Sequence, residues 1–181
     1  MSDSRRAIVL AVGGGIAAYK SAIVCSRLVQ CGHEVRVVMT RSALKFVGVS
    51  TFSALSGRRV ATETFDPEQN PLGAHIELAE GCDLMIVAPA TANLMSRFAL
   101  GSADDLVSTL YLQISSPVLL APAMSESMWG KPAVQRNVNR LREDGCHFIG
   151  PSSGWLSCRA SGEGRMSEPN EILEAAEALF N

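Results

Sequence analysis

The chain has 181 residues, the length of one domain at roughly 100–200 residues per domain. Its 16 Lys and Arg against 18 Asp and Glu leave a net charge of −2, and no basic run exceeds two residues, which excludes a nucleic-acid surface. Hydrophobic residues make up 47%, ample for a buried core, while the 19% that are charged suggest surface covered by another subunit. Five cysteines, Cys25, Cys31, Cys82, Cys146 and Cys158, form no Cys-x-x-Cys pair. The odd count argues against a disulfide framework or zinc ribbon and for a reducing cytoplasm.

Arg5-Arg6 followed by an apolar run has the outline of a signal peptide, but three consecutive glycines, Gly13–Gly15, suit a first strand better. No apolar run reaches the ~18 residues of a membrane span. Ala7–Val12 is expected as a buried strand. Ile16, Tyr19, Ile23, Val24, Arg27 and Leu28 recur at helical spacing until Gly32. Val35–Met39 follows as a strand, 42–55 as a helix, and Arg59–Ala61 as a short strand. Asp66–Gly73 is a polar loop. Leu84–Ala88, Pro117–Ala121 and Cys146–Ile149 are further strands. Helices are expected at 93–100, 104–113, 132–143 and 168–180. Pro151–Met166 is rich in Gly and Ser and has no periodicity.

Strands apolar on both faces, alternating with helices, predict a parallel sheet covered on both sides. The fold class is therefore α/β, a Rossmann-like or flavodoxin-like three-layer sandwich. Ligands of such sheets bind at the carboxyl ends of the strands. Gly13-x-Gly15-x-x-Ala18 loosely matches a phosphate-cradling turn, and a plain tight turn would look the same. A site for NAD wants an acid after the second strand, where this chain has Thr40-Arg41-Ser42. That leaves NADPH or a mononucleotide such as FMN. Thr91 or Asn93 could bond a heteroaromatic edge or simply cap a helix. Met128 and Trp129 fit either a pocket or the core. His75 is a general base if it faces the pocket and structural otherwise. Cys158 alone lies in a Gly/Ser-rich loop; the other four cysteines read as packing. With Gly162, Gly164 and Arg165, that loop has the composition of a lid over an anion.

Taken together, these motifs resemble the flavin-dependent cysteine decarboxylase (HFCD) flavoprotein family, and within it the coenzyme A branch. The matching pieces occur in family order. They are Gly14–Lys20, Thr40-x-Ser42-Ala43, His75-Ile76-x-Leu78, Pro89–Asn93, Ala103–Leu106, Pro122-Ala123-Met124-x-x-x-Met128-Trp129, and Cys158 through Gly162-x-Gly164-Arg165-Met166. The resemblance implies one flavoprotein domain over 1–181, with 151–166 as a mobile substrate clamp. It implies FMN as cofactor, held by Gly14, Gly15, Ile16, Thr40 and Ser42 at its phosphate and ribityl end. Thr91, Ala92, Asn93, Leu94 and Ala123 would line its ring. His75 would be the catalytic base and Cys158 the acid. Ser125, Met128, Gly162, Gly164 and Arg165 would bind the substrate, a small phosphorylated cysteine amide, with no metal, nucleic acid or membrane. Relatives are homotrimers or trimer-based assemblies with the site between subunits.

The implied reaction oxidises the cysteine side chain to a thioaldehyde, releases CO2, and reduces the resulting enethiol. Cys158 favours the coenzyme A branch over peptide-modifying relatives, in which the reaction stops at the enethiol. Ser125 departs from the family's usual asparagine, and Leu94 from its usual threonine. Both departures keep two alternatives in view: a decarboxylase of peptide C-terminal cysteine, and a non-catalytic FMN-binding protein. No ligase domain of the kind often fused to bacterial members is present in the chain, so a separate ligase is expected to supply the substrate.

Overall fold

A computed structural model describes residues 5–66, 68, 70–157 and 159–180. Its central sheet consists of β1 (Ala7–Val12), β2 (Glu34–Met39), β3 (Leu84–Ala90), β4 (Val118–Pro122) and β5 (His147–Phe148). All are parallel, in the spatial order β2-β1-β3-β4-β5. The expected α/β sandwich is thus present, in the doubly wound order whose direction reverses between β1 and β3.

Strand alternation divides the core. Ile8, Leu10 and Val12 point to one face and pack with α1 (Ala18–Gln30), α2 (Val49–Ser56) and α8 (Pro169–Ala178). Val9 and Ala11 point to the other, where α4 (Ala92–Leu100), α5 (Leu106–Gln113) and α7 (Pro132–Glu143) cover them. Every residue of β3 and β4 is buried, as parallel strands between two helical layers must be. Near the end of β3, Pro89 has no N–H for the ladder, and the register with β4 shifts after Val87. The freed Ala88 carbonyl accepts a hydrogen bond from Ser21 Oγ at 2.5 Å. Pairing resumes beyond the shift, where Ala90 faces Pro122 and its carbonyl accepts from Ala123 N–H at 3.2 Å.

Four local expectations differ from the structure. The single helix expected over 42–55 is a 3-10 turn (Ala43–Lys45) and then α2, separated by extended Gly48. Arg59–Ala61 forms no strand but one bridge, Val38 to Ala61. A six-residue helix, α3 (Ala74–Ala79), is too short for its period to be visible. The aperiodic stretch 151–166 contains an antiparallel hairpin, β6 (Ser152–Trp155) with β7 (Ser161–Arg165). Its serines and glycines carry no hydrophobic alternation, and backbone pairing alone sets its register.

Cys25 and Cys146 are buried packing residues as expected, but Cys31, at the end of α1, is exposed. Burial pushes the Cys25 thiol up to about 11, so at pH 8 only about one part in a thousand is thiolate. Iodoacetamide at pH 8 should therefore modify Cys31 of the folded protein and leave Cys25 intact, as read by peptide mass spectrometry. Equal labelling of both would contradict this packing.

Candidate functional site

Three loops meet beyond the carboxyl ends of β1, β2 and β3, and they meet through bare backbone. A Cβ on Gly13 would lie 2.2 Å from the Pro89 carbonyl oxygen, and one on Gly14 would lie 2.2 Å from Ser42 Cβ. Any side chain there would push the loops apart. Thr40 closes the β2 loop from within. Its buried Oγ1 donates to the Val12 carbonyl (3.4 Å) and accepts from Ala43 N–H (3.2 Å). Thr91 is the N-cap of α4, its Oγ1 accepting from Leu94 N–H at 3.3 Å.

A cavity of about 500 Å³ opens against this junction. Gly14, Thr40, Ser42, Thr91, Ala92, Asn93, Leu94 and Met128 line it. Its far wall contains Arg97, which pairs with Asp104 at 3.2 Å and with Asp105. Asp105 in turn caps α5 through Ser108 N–H at 2.8 Å. Polar groups from the loops and apolar Met39, Leu94, Leu106 and Val107 therefore face one space. Such a lining suits a flat, partly polar ring with an anionic end.

A second cavity, of about 360 Å³, lies across the Gly14–Gly15 ridge. Gly15, Ile16, Ala123, Ser125, Gly164 and Arg165 line it, together with Tyr19, Lys20 and Trp155. One wall is the hairpin, which docks on the loop after β4 and on the short helix α6 (Glu126–Trp129). Met124 N–H donates to the Gly164 carbonyl at 2.9 Å. A Cβ on Gly164, whose φ is +142°, would lie 2.3 Å from the Met124 oxygen. Gly162 abuts the Glu126 carboxylate, and Glu163 N–H donates to Glu126 Oε1 at 3.3 Å. At the root of the hairpin, Glu168 accepts from both Arg165 and Lys20. The Lys20 hydrogen bond, followed by the charges of Lys20 and Arg165, holds the Glu168 carboxyl below its ordinary range despite some desolvation.

The structure therefore gathers most of the expected site but divides it differently. Met128, expected with the substrate group, joins the cofactor group in the first cavity. Gly15, Ile16 and Ala123, expected around the cofactor, line the second cavity on the other side of the ridge. Gly162 contacts Glu126 and lines neither. His75, in the first turn of α3, also lines neither, and its buried Nδ1 has no hydrogen-bond partner among the described residues. Cys158 lies outside the described residues. Lys20, Arg97, Asp105 and Glu126 were not anticipated. Of these, Lys20 and Asp105 lie within the matching pieces Gly14–Lys20 and Ala103–Leu106, and Lys20 leaves a further signal, a lysine at i−4 from Val24 and i−8 from Leu28 in the buried stripe of α1.

Residues 1–181 match the Flavoprotein family model. The coenzyme A biosynthesis bifunctional protein CoaBC of Bacillus subtilis is 48% identical over 178 residues, which span 98% of this chain and 44% of that protein. The Mycolicibacterium smegmatis protein of the same name is 46% identical, spanning 98% and 42%. The chain thus spans less than half the length of these relatives. Among solved structures, a mutant PPC decarboxylase complexed with pantothenoylaminoethenethiol superposes with a TM-score of 0.86 at 27% identity, covering 98% of this chain and 99% of that one. The FMN-dependent cysteine decarboxylase SpaF gives 0.78 at 28% identity, covering 97% and 99%. The FMN-binding protein AtHal3 gives 0.83 at 28%, covering 98% and 97%.

Gly164→Ala tests the docked hairpin directly, because its methyl must displace the Met124 carbonyl. Trypsin should cleave the variant faster at Arg159 and Arg165 while the circular dichroism of the sheet is retained. Cleavage at the wild-type rate would contradict the docking.

Proposed function

The chain belongs to the Flavoprotein family, and from that premise we propose that it is an FMN-dependent decarboxylase of 4'-phosphopantothenoyl-L-cysteine, producing 4'-phosphopantetheine for coenzyme A biosynthesis. The observation that carries this reading is the pair of cavities sharing one glycine ridge. One has the size and lining for a flavin, and the other is flanked by Arg165 of the hairpin and Lys20 of α1. The CoaBC relatives and the PPC decarboxylase structure support the choice of substrate.

The residues present fit FMN. The Gly14–Ser42 contact leaves a cradle that a Cβ would fill. Ser42 makes no capping hydrogen bond with its hydroxyl, which leaves it for the phosphate. Ala92 and Asn93 open α4, where backbone N–H groups have no intrahelical acceptor. They face the first cavity and would bond the ring edge, beside Thr91 and Leu94. Thr40 acts by shaping the loop, since its hydroxyl is already engaged. Gly15, Ile16 and Ala123 form the boundary between cofactor and substrate. A mononucleotide agrees with Thr40-Arg41-Ser42 directly after β2, a segment that itself carries no carboxylate for a ribose.

Held by Gly14, Ser42 and the start of α4, a flavin would supply the reversible two-electron acceptor that release of CO2 from the cysteine carbon requires. The chain's own groups bind and protonate. Arg165, flanked by Lys20, attracts the anionic substrate, and Ser125 approaches its carboxylate. A serine reaches less far than an amide, and a lost hydrogen bond to a charged group costs about 1.5–3 kcal/mol, so Ser125 is the feature that favours the peptide-cysteine alternative. Gly162 and Gly164 let the hairpin lie against Glu126 and Met124. His75 serves as base and Cys158 as the proton donor to the product. The unpartnered Nδ1 of His75, a residue that lines neither cavity of its own chain, supports a homotrimer in which His75 serves a site shared with a neighbour.

The test is mass spectrometry of phosphopantothenoylcysteine incubated with the flavin-loaded protein. Conversion to phosphopantetheine is expected, and His75→Asn should abolish it while retaining the flavin. A product two hydrogens poorer would favour the peptide-modifying reading, and a yellow protein inert to both substrates would favour a binding protein. Full activity of His75→Asn would make His75 structural.

A further inference from the structure

Lys20 is buried in the inner stripe of α1, beside Ser21 and Val24, at 5% exposure. An ammonium survives such burial only when its hydrogens are matched by acceptors. Its Nζ donates to the Met166 carbonyl at 3.0 Å and to Glu168 Oε1 at 3.0 Å. Both acceptors lie at the root of the hairpin. Met166 follows β7 directly and is itself buried, and Glu168 caps α8.

The same Glu168 Oε1 also accepts from the Arg165 guanidinium. One carboxylate oxygen thus joins a cation on α1 to a cation on the hairpin. Lys20 and Arg165 both line the second cavity, where two positive charges against one negative leave a local excess of +1 from these three groups. The other end of this connection is the Gly13–Ile16 loop, which leads directly into α1. A rigid lever therefore runs from the ridge between the cavities, through the first turn of α1, to the arginine at the end of β7.

Neighbouring contacts do not replace it. The Gly164–Met124 and Glu163–Glu126 hydrogen bonds tie the hairpin to the β4–α6 side, while Lys20 makes a polar tie to α1 beside the packing of Met166 in the same core. Glu168 also takes part in the reciprocal capping box of α8, in which Glu171 accepts from Glu168 N–H at 2.6 Å.

We propose that Lys20 is a positioning residue: through Met166 and Glu168 it fixes Arg165 and the hairpin root relative to the glycine loop, and so sets how tightly an anionic substrate is held. This rests on the assignment of the second cavity to substrate. Lys20 touches neither the reacting atoms nor the flavin in this account. Its loss should therefore appear in substrate binding and leave the chemical step and the flavin content in place.

The experiment compares FMN-loaded wild type, Lys20→Met, Lys20→Arg and Glu168→Gln in steady-state decarboxylation of phosphopantothenoylcysteine. Flavin absorbance per chain is read separately. Lys20→Met should raise KM about tenfold, the cost of a lost charged hydrogen bond, with kcat within about threefold of wild type. Lys20→Arg, which keeps the charge and donors, should recover most of the KM. Unchanged KM, a fall in kcat alone, or loss of flavin from Lys20→Met would overturn the proposal. Should Lys20→Met not fold, Glu168→Gln carries the same test, since it retains the Met166 hydrogen bond but weakens the hold on Arg165, and an unchanged KM there overturns it equally. A wild-type protein without turnover would overturn the proposed substrate. The lever is then read from amide hydrogen exchange over 152–165. Faster exchange in Lys20→Met, restored in Lys20→Arg, supports it, and exchange at the wild-type rate overturns it.

Discussion

Everything at the top of this sheet depends on two missing side chains. Gly13 and Gly14 let the loop after β1 touch the backbone of the β3 end and the side chain of Ser42 at distances no Cβ could tolerate. With those contacts made, the three loops form one ridge with a cavity on each side. The strand order places this ridge where the chain reverses direction between β1 and β3, so the two halves of the fold diverge and leave space. The ridge is thus a joint product of topology, which opens the crevice, and of glycine, which lets the loops close around it.

The hairpin is the second device, and it is added to the sheet from outside. Its strands bury little, and they are held by backbone proximity at Gly162 and Gly164, by the Glu126 carboxylate, and by the Lys20–Glu168–Arg165 chain. Attachment through polar contacts and close backbone approach, without a hydrophobic face, makes this segment easier to open than the sheet. An element that must admit a charged molecule is served by such an attachment. His75 stands outside both devices, because it lines neither cavity and its buried Nδ1 has no hydrogen-bond partner among the described residues.

Much of the fold is legible in the sequence because parallel strands are continuous apolar runs, and Ala7–Val12, Leu84–Ala88 and the stretch ending at Ala121 are unambiguous. The strand-end positions followed from that, which is why Gly14, Thr40, Ser42 and 91–94 meet in one cavity as expected. What was illegible is what lacks a period. Helix α3 has six residues, and the hairpin has no apolar alternation to announce it. The exchange of Met128 for Gly15, Ile16 and Ala123 between the two cavities was also hidden, since adjacent residues of one loop, Gly14 and Gly15, face opposite sides of the ridge. Glu126 left no trace at all, because its partner is a backbone N–H in a distant hairpin. Lys20 could have been found, as a charge placed on a buried helical stripe.

The central claim is that the Gly14–Ser42 cradle and the start of α4 form an FMN site in which the phosphate is recognised. Its most direct test is fluorescence titration of flavin-stripped protein with FMN and, separately, with riboflavin, which has the same ring and no phosphate. The account predicts one FMN bound per chain and riboflavin bound at least about tenfold more weakly, the loss expected when charge-assisted hydrogen bonds are removed. Equal affinity for the two flavins, or binding of neither, would contradict it.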